Sequence, residues 1–328
     1  MVTDERRRLA EQWAASRLGW PRWSSEALAS DASFRRYFRL RHAGRSYLVM
    51  DAPPQREAVG PFVEIAGRLR AAGVHAPEVL ASDPDTGLVL LEDLGRRPYH
   101  HALDEASATP LMQAAIDTLV LMQTHTDTRG LPHYDPALLL GELALFVDWF
   151  LTRHWQVQPT EQELDGWDHV CANLLRWALD QPRVFCHRDF MPRNLIVSEP
   201  NPGVIDFQDA VIGPISYDPV CLFRDAFLSW PPARVDSWLE NYRRAALAAG
   251  LPLTPSAELW RRTCDMMGVQ RHLKVIGIFA RIRYRDGKPH YLDDLPRFMT
   301  YLDAAIARNP ELSELELLLA AWKQRCAP

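Results

Sequence analysis

The chain has 328 residues, of which 47% are hydrophobic and 24% charged, with a formal net charge of −5 and a pI of about 6.1. This composition predicts a globular protein of one large or two modest domains and gives no support to a nucleic-acid-binding or anionic-membrane protein. Five scattered cysteines without a CxxC pair argue against a zinc site or a disulfide framework, so we expect buried thiols in a cytoplasmic protein.

The first 95 residues alternate short apolar runs with turn residues, which predicts a small sheet with one packed helix. A helix is also predicted at the start of the chain, from Thr3 to Leu18, with Thr3 as its N-cap. Its charged sequence does not resemble a secretory signal, and no apolar run is long enough to span a membrane. The other predicted elements are a helix, Pro61 to Ala72, and strands at Tyr37 to Leu40, Tyr47 to Met50, Val79 to Leu80 and Leu88 to Leu91.

A turn of small polar residues, 30–33, lies ahead of the first strand pair, and Arg35 and Arg36 follow it directly. Small residues let backbone N–H groups approach phosphate oxygens closely. The turn is therefore a candidate phosphate-binding loop, and an ordinary surface turn is the alternative.

Helical periods dominate after residue 98 and are interrupted once, by a hairpin near residue 200. Later helices are predicted at Pro219 to Ser229, Arg234 to Ala248, Ala257 to Ala280 and Leu295 to Ala307. We expect Asp218 to cap the first of these.

The interrupting segment, 184–207, combines a short strand, a polar loop and a hairpin. A hairpin folded about position 200 predicts that Asn194 and Asp206 lie opposite each other on adjacent strands, with Asp189 on the loop just before them. An amide oxygen and a carboxylate bind divalent metals, and a separate carboxylate can accept the proton of an attacking hydroxyl. His187-Arg188-Asp189, four residues and then Asn194 follow the kinase catalytic-loop pattern, with Asp206 in the later metal-binding position. The alternative is a polar loop whose aspartate caps a turn.

The segment 261–285 is rich in cations, and Asp265 is its only acid. A site for a polycationic acceptor should be acidic, so this stretch favours an anionic or neutral acceptor. A solvated basic helix face is the alternative. The cations are Arg261, Arg262, Arg271, Lys274, Arg281, Arg283 and Arg285, together with His272.

These residues together resemble the aminoglycoside phosphotransferase family of kinases. Within it, they resemble the bacterial cell-wall-recycling subgroup that phosphorylates the anomeric hydroxyl of N-acetylmuramate and N-acetylglucosamine. The resemblance implies an α+β, bilobal protein-kinase-like fold. Residues 1–95 would form a small N-terminal lobe, an antiparallel sheet with one packed helix, and residues 96–328 a larger, mainly helical C-terminal lobe. The strings that carry the resemblance are 29–39, 50–54, 73–77, 91–95, the Asp189 loop and 271–281.

The resemblance also implies roles for the loop and hairpin residues. Asp189 would be the general base, and Asn194 and Asp206 would bind Mg²⁺. In the nucleotide site, Ser33 would lie in the ATP-phosphate loop, and Glu92 and Leu94 would bound the hinge that holds adenine.

The sequence departs from the family pattern at the strand lysine. Glu64 matches the helix glutamate that normally pairs with it, but the lysine position holds Met50, and the first 273 residues contain no lysine. Either an arginine, Arg35, Arg36 or Arg39, binds the phosphates, or metal and backbone N–H groups suffice. The first is favoured because a guanidinium can bind phosphate bidentately.

The acceptor residues are expected in the helical half. Arg271, His272 or Lys274 could meet the lactyl carboxylate of N-acetylmuramate. Arg224 and Asp225 are candidates for sugar hydroxyl contacts. Asp209 could serve likewise or orient the hairpin.

The sequence therefore predicts direct transfer of the ATP γ-phosphoryl group to a sugar C1 hydroxyl, with Mg²⁺ as cofactor. The alternatives are a pseudokinase or other non-catalytic nucleotide-binding regulator, a protein kinase, and another small-molecule kinase for an aminoglycoside, choline, homoserine or a different sugar. The short span from Phe207 to Asp218 disfavours a protein kinase, because it leaves little room for an activation loop. We expect no nucleic-acid or membrane partner and favour a monomer.

Overall fold

The computed structural model of the chain describes residues 4–28 and 34–326. It contains two compact units: Met1–Asp127 with Arg193–Asp209, and Thr128–Pro192 with Ala210–Pro328. This division differs from the predicted lobe boundary after residue 95, because it assigns the first helices after the sheet and the hairpin to the first unit. The placement of the lobe boundary at residue 95 therefore stays a prediction.

The first unit is built on a five-stranded antiparallel sheet of order β1-β2-β3-β5-β4. The two predicted strand pairs are confirmed, and the edge strand β1 was not predicted. Its sequence, Ser-Ser-Glu-Ala, lacks the alternation of apolar residues that marks a half-buried strand, and it is mostly exposed. The strands are β1 (Ser24–Ala27), β2 (Arg36–His42), β3 (Arg45–Asp51), β4 (Val79–Asp83) and β5 (Leu88–Glu92).

Helices cover this sheet and continue the chain beyond it. The first helix begins after Asp4, whose side chain accepts the backbone N–H of Arg7; the predicted N-cap, Thr3, lies outside the described residues. Alanines of this helix pack on the sheet beside Phe38 and Leu40. The helices of the unit are α1 (Glu5–Leu18), α2 (Gly60–Ala71), α3 (Tyr99–Ala102) and α4 (Ala108–His125), and a small hairpin joins β7 (Leu195–Ile196) to β8 (Gly203–Val204).

The second unit is mainly helical. A two-stranded antiparallel pair, β6 with β9, is its only sheet among the described residues. The predicted helix 219–229 is shorter than expected and ends before Arg224. Of the helices described in the chain, none combines the length and apolarity needed to cross a bilayer. The elements are α5 (Pro136–Leu145), a π-helix (Phe146–His154), α6 (Glu161–Leu179), β6 (Arg183–Cys186), β9 (Val211–Pro214), α7 (Tyr217–Phe223), α8 (Pro232–Ala248), α9 (Ala257–Asp286), α10 (Leu295–Arg308) and α11 (Ser313–Arg325).

The 30-residue helix α9 forms the centre of the second unit. Its Val269, Leu273 and Ile276 belong to the main hydrophobic core. At Gly277 a Cβ atom would lie 2.4 Å from the backbone carbon of Leu145, so α9 and the end of α5 pack backbone against backbone. The predicted helix is therefore confirmed, but its position inside the unit excludes a solvated face for its middle turns.

Candidate active site

The hairpin of the first unit carries Asn194 and Asp206. Leu195 pairs with Val204, so the register differs by one residue from the predicted one, and Ile205 rather than Asp206 stands opposite Asn194. The predicted pairing of positions 194 and 206 is therefore wrong. The two side chains nevertheless meet, with Asn194 Nδ2 at 3.4 Å from Asp206 Oδ2. Asp206 has a left-handed backbone, φ +64°, which ends the strand pairing directly after Ile205.

Asp206 lies beside a buried arginine. Its Oδ1 atom is 3.9 Å from Arg35 Nη1 and accepts a 2.9 Å hydrogen bond from Gln208. The Arg35 side chain is 6% exposed and also pairs with Glu57, whereas the Asp206 side chain is 49% exposed. A carboxylate with one open side and a guanidinium beside it can receive a ligand that brings both anionic oxygens and a metal.

The donor chemistry of this pair fits Mg²⁺. The amide nitrogen of Asn194 donates to Asp206, and its amide oxygen is a hard ligand of the kind that Mg²⁺ takes. Among the described residues, no three or more His, Cys, Asp or Glu side chains could together hold a metal. Because Mg²⁺ commonly takes only one or two protein carboxylates and completes its shell with water and phosphate oxygens, this pair suits a metal delivered with a nucleotide.

The three candidate arginines have different partners. Arg36 bonds Asp51 at 2.6 Å, and Arg39 bonds Asp93 through two N–H groups at 2.7 and 2.8 Å. Within the described part of the chain, Arg35 is the one of the three that contacts Asp206. The geometry therefore favours Arg35 as the phosphate-binding cation and gives Arg36 and Arg39 carboxylate partners within the sheet.

The family lysine position and its glutamate partner do not meet in a buried ion pair. Met50 is fully buried on β3. Glu64 is 58% exposed and bonds Arg68, four residues later on α2, at 2.5 Å. The structure thus places Glu64 in a surface ion pair, and its part in nucleotide binding stays a prediction.

Two of the remaining nucleotide candidates, Glu92 and Leu94, lie at and just after the end of β5. Glu92 ends β5, and its carboxylate accepts the Glu78 N–H at 3.1 Å, whereas Leu94 is buried. Ser33 lies outside the described residues. Asp209 contacts Gln208 at 3.4 Å, three residues after Asp206 on the same loop.

The Asp189 loop belongs to the second unit, where it is held by Asp218. The two carboxylate oxygens of Asp218 accept the backbone N–H groups of His187 at 2.7 Å and Arg188 at 2.9 Å. Asp218 is therefore not the predicted helix cap, since the N-cap position of α7 is Ser216. Burial raises the pKa of Asp218, and the attraction and hydrogen bond of His187 oppose that rise. Arg188 has φ +72°, an uncommon conformation for a residue with a side chain, immediately before Asp189.

Arg271 and Asp225 each bury a polar atom that lacks a partner. Both residues are at most 2% exposed, and neither Arg271 Nη1 nor Asp225 Oδ2 has a hydrogen-bond partner within the part of the chain that the structure describes. Burial alone would lower the pKa of Arg271, but attraction to nearby groups, among them Asp189 and Asp225, raises it. His272, which is 1% exposed, likewise buries an Nε2 atom without a partner among the described residues, so these three acceptor candidates retain unused hydrogen-bonding capacity.

The other two acceptor candidates of this unit, Arg224 and Lys274, are engaged inside the protein. Arg224 bonds Asp265 at 2.6 Å, and Lys274 bonds Glu142 at 2.7 Å. His272 stacks on Tyr301 with ring centroids 4.9 Å apart, and burial keeps its pKa well below the ordinary value.

Sequence reasoning did not identify Glu142, the buried partner of Lys274. It is the one charged residue in α5, whose sequence is otherwise apolar apart from a glycine and a proline. A lone acid in such a helix indicates a buried charge that requires a partner, and this pattern could have identified it.

Comparison with known proteins found a matching family and close relatives for most of the chain. A protein-family model described as "Phosphotransferase enzyme family" (APH) matches residues 24–260. A relative from Pseudomonas aeruginosa named N-acetylmuramate/N-acetylglucosamine kinase is 55% identical over 90% of this chain and 88% of its own length. A relative of the same name from Pseudomonas putida is 51% identical over 92% of this chain and 88% of its own.

The fold is also found among solved structures. The ADP-bound structure of aminoglycoside phosphotransferase APH(2'')-Ib covers 90% of this chain and 98% of its own, with a TM-score of 0.59 and 15% identity. The predicted protein-kinase-like α+β fold is confirmed by this similarity, with its antiparallel sheet and larger helical part. Because the family model matches well over half of the residues, the chain belongs to the phosphotransferase enzyme family.

Proposed function

We propose that this protein is an ATP-dependent sugar kinase. It transfers the γ-phosphoryl group to the anomeric C1 hydroxyl of N-acetylmuramate, N-acetylglucosamine or both, as a step of peptidoglycan recycling. The observation that carries the kinase chemistry is the contact of Asn194 with Asp206, beside Arg35, on the hairpin that follows the His-Arg-Asp loop. The choice of acceptor is supported by the 55% identity to the Pseudomonas aeruginosa relative named N-acetylmuramate/N-acetylglucosamine kinase.

In the proposed reaction, Asp189 accepts the proton of the acceptor hydroxyl. The hydroxyl oxygen then bonds to the γ-phosphorus as the bond to the ADP oxygen breaks, and no covalent enzyme intermediate is required. Asn194 and Asp206 would hold Mg²⁺, which neutralises charge on the phosphates when bound. Arg35 binds a phosphate oxygen in place of the missing strand lysine.

The remaining nucleotide roles rest on the resemblance to the family. Ser33 would adjoin the phosphates, and Arg36 would be secondary to Arg35 there because it pairs with Asp51. Glu92 and Leu94 would bound the adenine-binding hinge. Glu64 is the last of these nucleotide-site candidates. Its observed contact is a surface ion pair with Arg68 on the same helix.

For the acceptor, Asp225, Arg271 and His272 have the strongest support, because each retains a buried polar atom without a partner among the described residues. Arg224 and Lys274 would act from behind them, since their observed contacts are with other protein groups. Asp209, three residues after Asp206, would help to orient the hairpin through its contact with Gln208.

An acceptor panel tests the proposal. The purified chain is incubated with ATP and Mg²⁺ and with N-acetylmuramate, N-acetylglucosamine, choline, homoserine or kanamycin, and ADP release is recorded. We expect turnover with the two amino sugars, loss of turnover in EDTA and its return with excess Mg²⁺. Phosphorus NMR of the product should locate the phosphate on C1. Turnover confined to the cationic acceptors, or a phosphate on another hydroxyl, would contradict the proposal.

A further inference from the structure

A buried carboxylate behind the Asp189 loop gathers four donors. Glu142, on α5, has a side chain that is 7% exposed. Its Oε1 atom accepts from Arg188 Nη2 at 2.6 Å and from Lys274 Nζ at 2.7 Å. Its Oε2 atom accepts from the hydroxyl of Tyr134 and from Gln270 Nε2 at 3.2 Å. The carboxylate is therefore hydrogen-bonded at both oxygens and joins α5, α9 and the segment before α5 to the loop.

The charges of this cluster keep Glu142 ionised. Burial alone would raise the pKa of its carboxyl group, but attraction to Lys274 and Arg188 lowers it below the ordinary value. Burial would likewise lower the pKa of Lys274, whereas Tyr217 and Glu142 raise it. Since one carboxylate serves two cations, removing its charge would leave both cations buried without it.

Such a cluster adds little net stability, because the cost of desolvation offsets much of the attraction and well-packed apolar side chains would stabilise the fold equally well. Its hydrogen bonds instead restrict the conformation of the residues that they join. Arg188 has a backbone conformation that persists only where its surroundings over-determine it, and it is held at two points. Asp218 binds its backbone N–H, and Glu142 binds its side chain. Asp189 is the next residue.

We propose that Glu142 is a positioning residue for phosphoryl transfer, one that fixes Arg188 and thereby the backbone that presents Asp189. Lys274 and Gln270, both on α9, and Tyr134 hold the Glu142 carboxylate in the orientation that reaches Arg188. Lys274 thus acts on Glu142 rather than on the acceptor. The inference rests on the proposed function, because it takes Asp189 as the base.

The test compares Glu142→Gln with Glu240→Gln. Glutamine keeps the size of the side chain and removes its charge. Glu240 is a matched control on α8, where it binds Arg243 and Arg244 at 2.7 Å each. For Glu142→Gln we expect kcat to fall roughly 100-fold, the effect of a displacement near 1 Å at a reacting group, with the KM for ATP within about twofold of wild type. Glu240→Gln should keep both values.

A role in folding alone would change different quantities. It would lower the melting temperature and the folded fraction of Glu142→Gln but leave kcat per folded molecule at the wild-type value, and that result would overturn the proposal. Tyr134→Phe is a gentler variant, because it removes one hydrogen bond to Glu142 and keeps the ring that lies 5.4 Å from the Arg188 guanidinium. It should fold normally and lose about threefold in kcat.

Amide hydrogen exchange separates this inference from the proposed function. Peptides that cover residues 184–190 should exchange at least about tenfold faster in Glu142→Gln than in wild type, and at the wild-type rate in Glu240→Gln. This readout needs no acceptor. If no amino sugar is phosphorylated, the proposed function fails but the exchange result still decides whether Glu142 holds the loop. Unchanged exchange in Glu142→Gln would overturn the inference.

Discussion

Arg39 provides the sharpest test of the arrangement in the first unit, because the family pattern left it as a possible phosphate-binding cation. Its guanidinium makes two bonds to Asp93, at 2.7 and 2.8 Å, and a third to the Gly95 carbonyl at 2.7 Å. Both side chains of the ion pair are at most 7% exposed. We therefore expect Arg39→Met to act on stability, leaving Asp93 as a buried carboxylate without its cation.

The magnitude follows from burial. Removing one partner of a buried ion pair typically costs about 3–5 kcal/mol, because the other charge stays desolvated. Part of that cost is relieved here by Ser46 and the Gly95 N–H, which also donate to Asp93. We expect Arg39→Met to lower the free energy of unfolding by about 3 kcal/mol. Asp93→Asn should cost a similar amount, and the double variant clearly less than the sum of the two, with a coupling energy above about 1 kcal/mol.

Urea unfolding followed by tryptophan fluorescence measures all three variants. Trp20 packs on the same sheet and reports on this unit. Near neutral pH, a loss under about 1 kcal/mol for Arg39→Met, or strict additivity in the double variant, would refute the reasoning. Although burial opposes the effect, hydrogen bonds from Arg39 and Ser46 lower the pKa of Asp93. Its contribution should therefore be complete above its ordinary pKa and disappear as the pH falls through the folded-state value.

Three further results are expected. Asp189→Asn should lower kcat by about 100- to 10,000-fold while the KM for ATP stays nearly unchanged, and a variant with full turnover would contradict its role as base. Arg35→Met should raise the KM for ATP at least about tenfold, whereas Arg36→Met should raise it less than threefold, so equal effects would leave Arg35 without its assigned role. Two arginines lower the pKa of Glu240 to about 2, so its stabilisation should be complete above pH 4.5 and fade as the pH falls towards 2. Thermal melts of wild type and Glu240→Gln should therefore converge at low pH, and a constant gap would contradict the assignment.

The local features of the hairpin could be predicted from the sequence, but its register could not. Turn residues between two apolar runs identify a hairpin near position 200 whatever surrounds it. The shift of one residue goes with the left-handed backbone of Asp206, a conformation uncommon in residues other than glycine and not visible in the residue type. The meeting of Asn194 and Asp206 was predicted although the register was wrong.

The helix α9 could be predicted from the sequence, but the partners of its charged residues could not. Counting the residues of one segment shows many cations and a single acid, and this count favoured an anionic acceptor. In the folded chain, Lys274 meets Glu142, which comes from α5, more than 120 residues earlier. Asp265, the one acid in the segment, binds Arg224 from α7's end as well as Arg308 from α10. Charge balance in a buried helix is decided by its neighbours, and a single sequence does not reveal which neighbours those are.

The close contact at Gly277 requires that α9 carry no side chain at this position, because the backbone of α5 lies directly against it. Gly277 touches the α5 end at Leu145, and one turn earlier on both helices Lys274 meets Glu142. A methyl group at position 277 would wedge these backbones apart and tilt the ammonium away from the carboxylate. This uncharged substitution, 88 residues along the chain from Asp189, would then weaken the ion pair between Glu142 and Arg188. Libraries built to alter sugar preference should accordingly leave this position untouched.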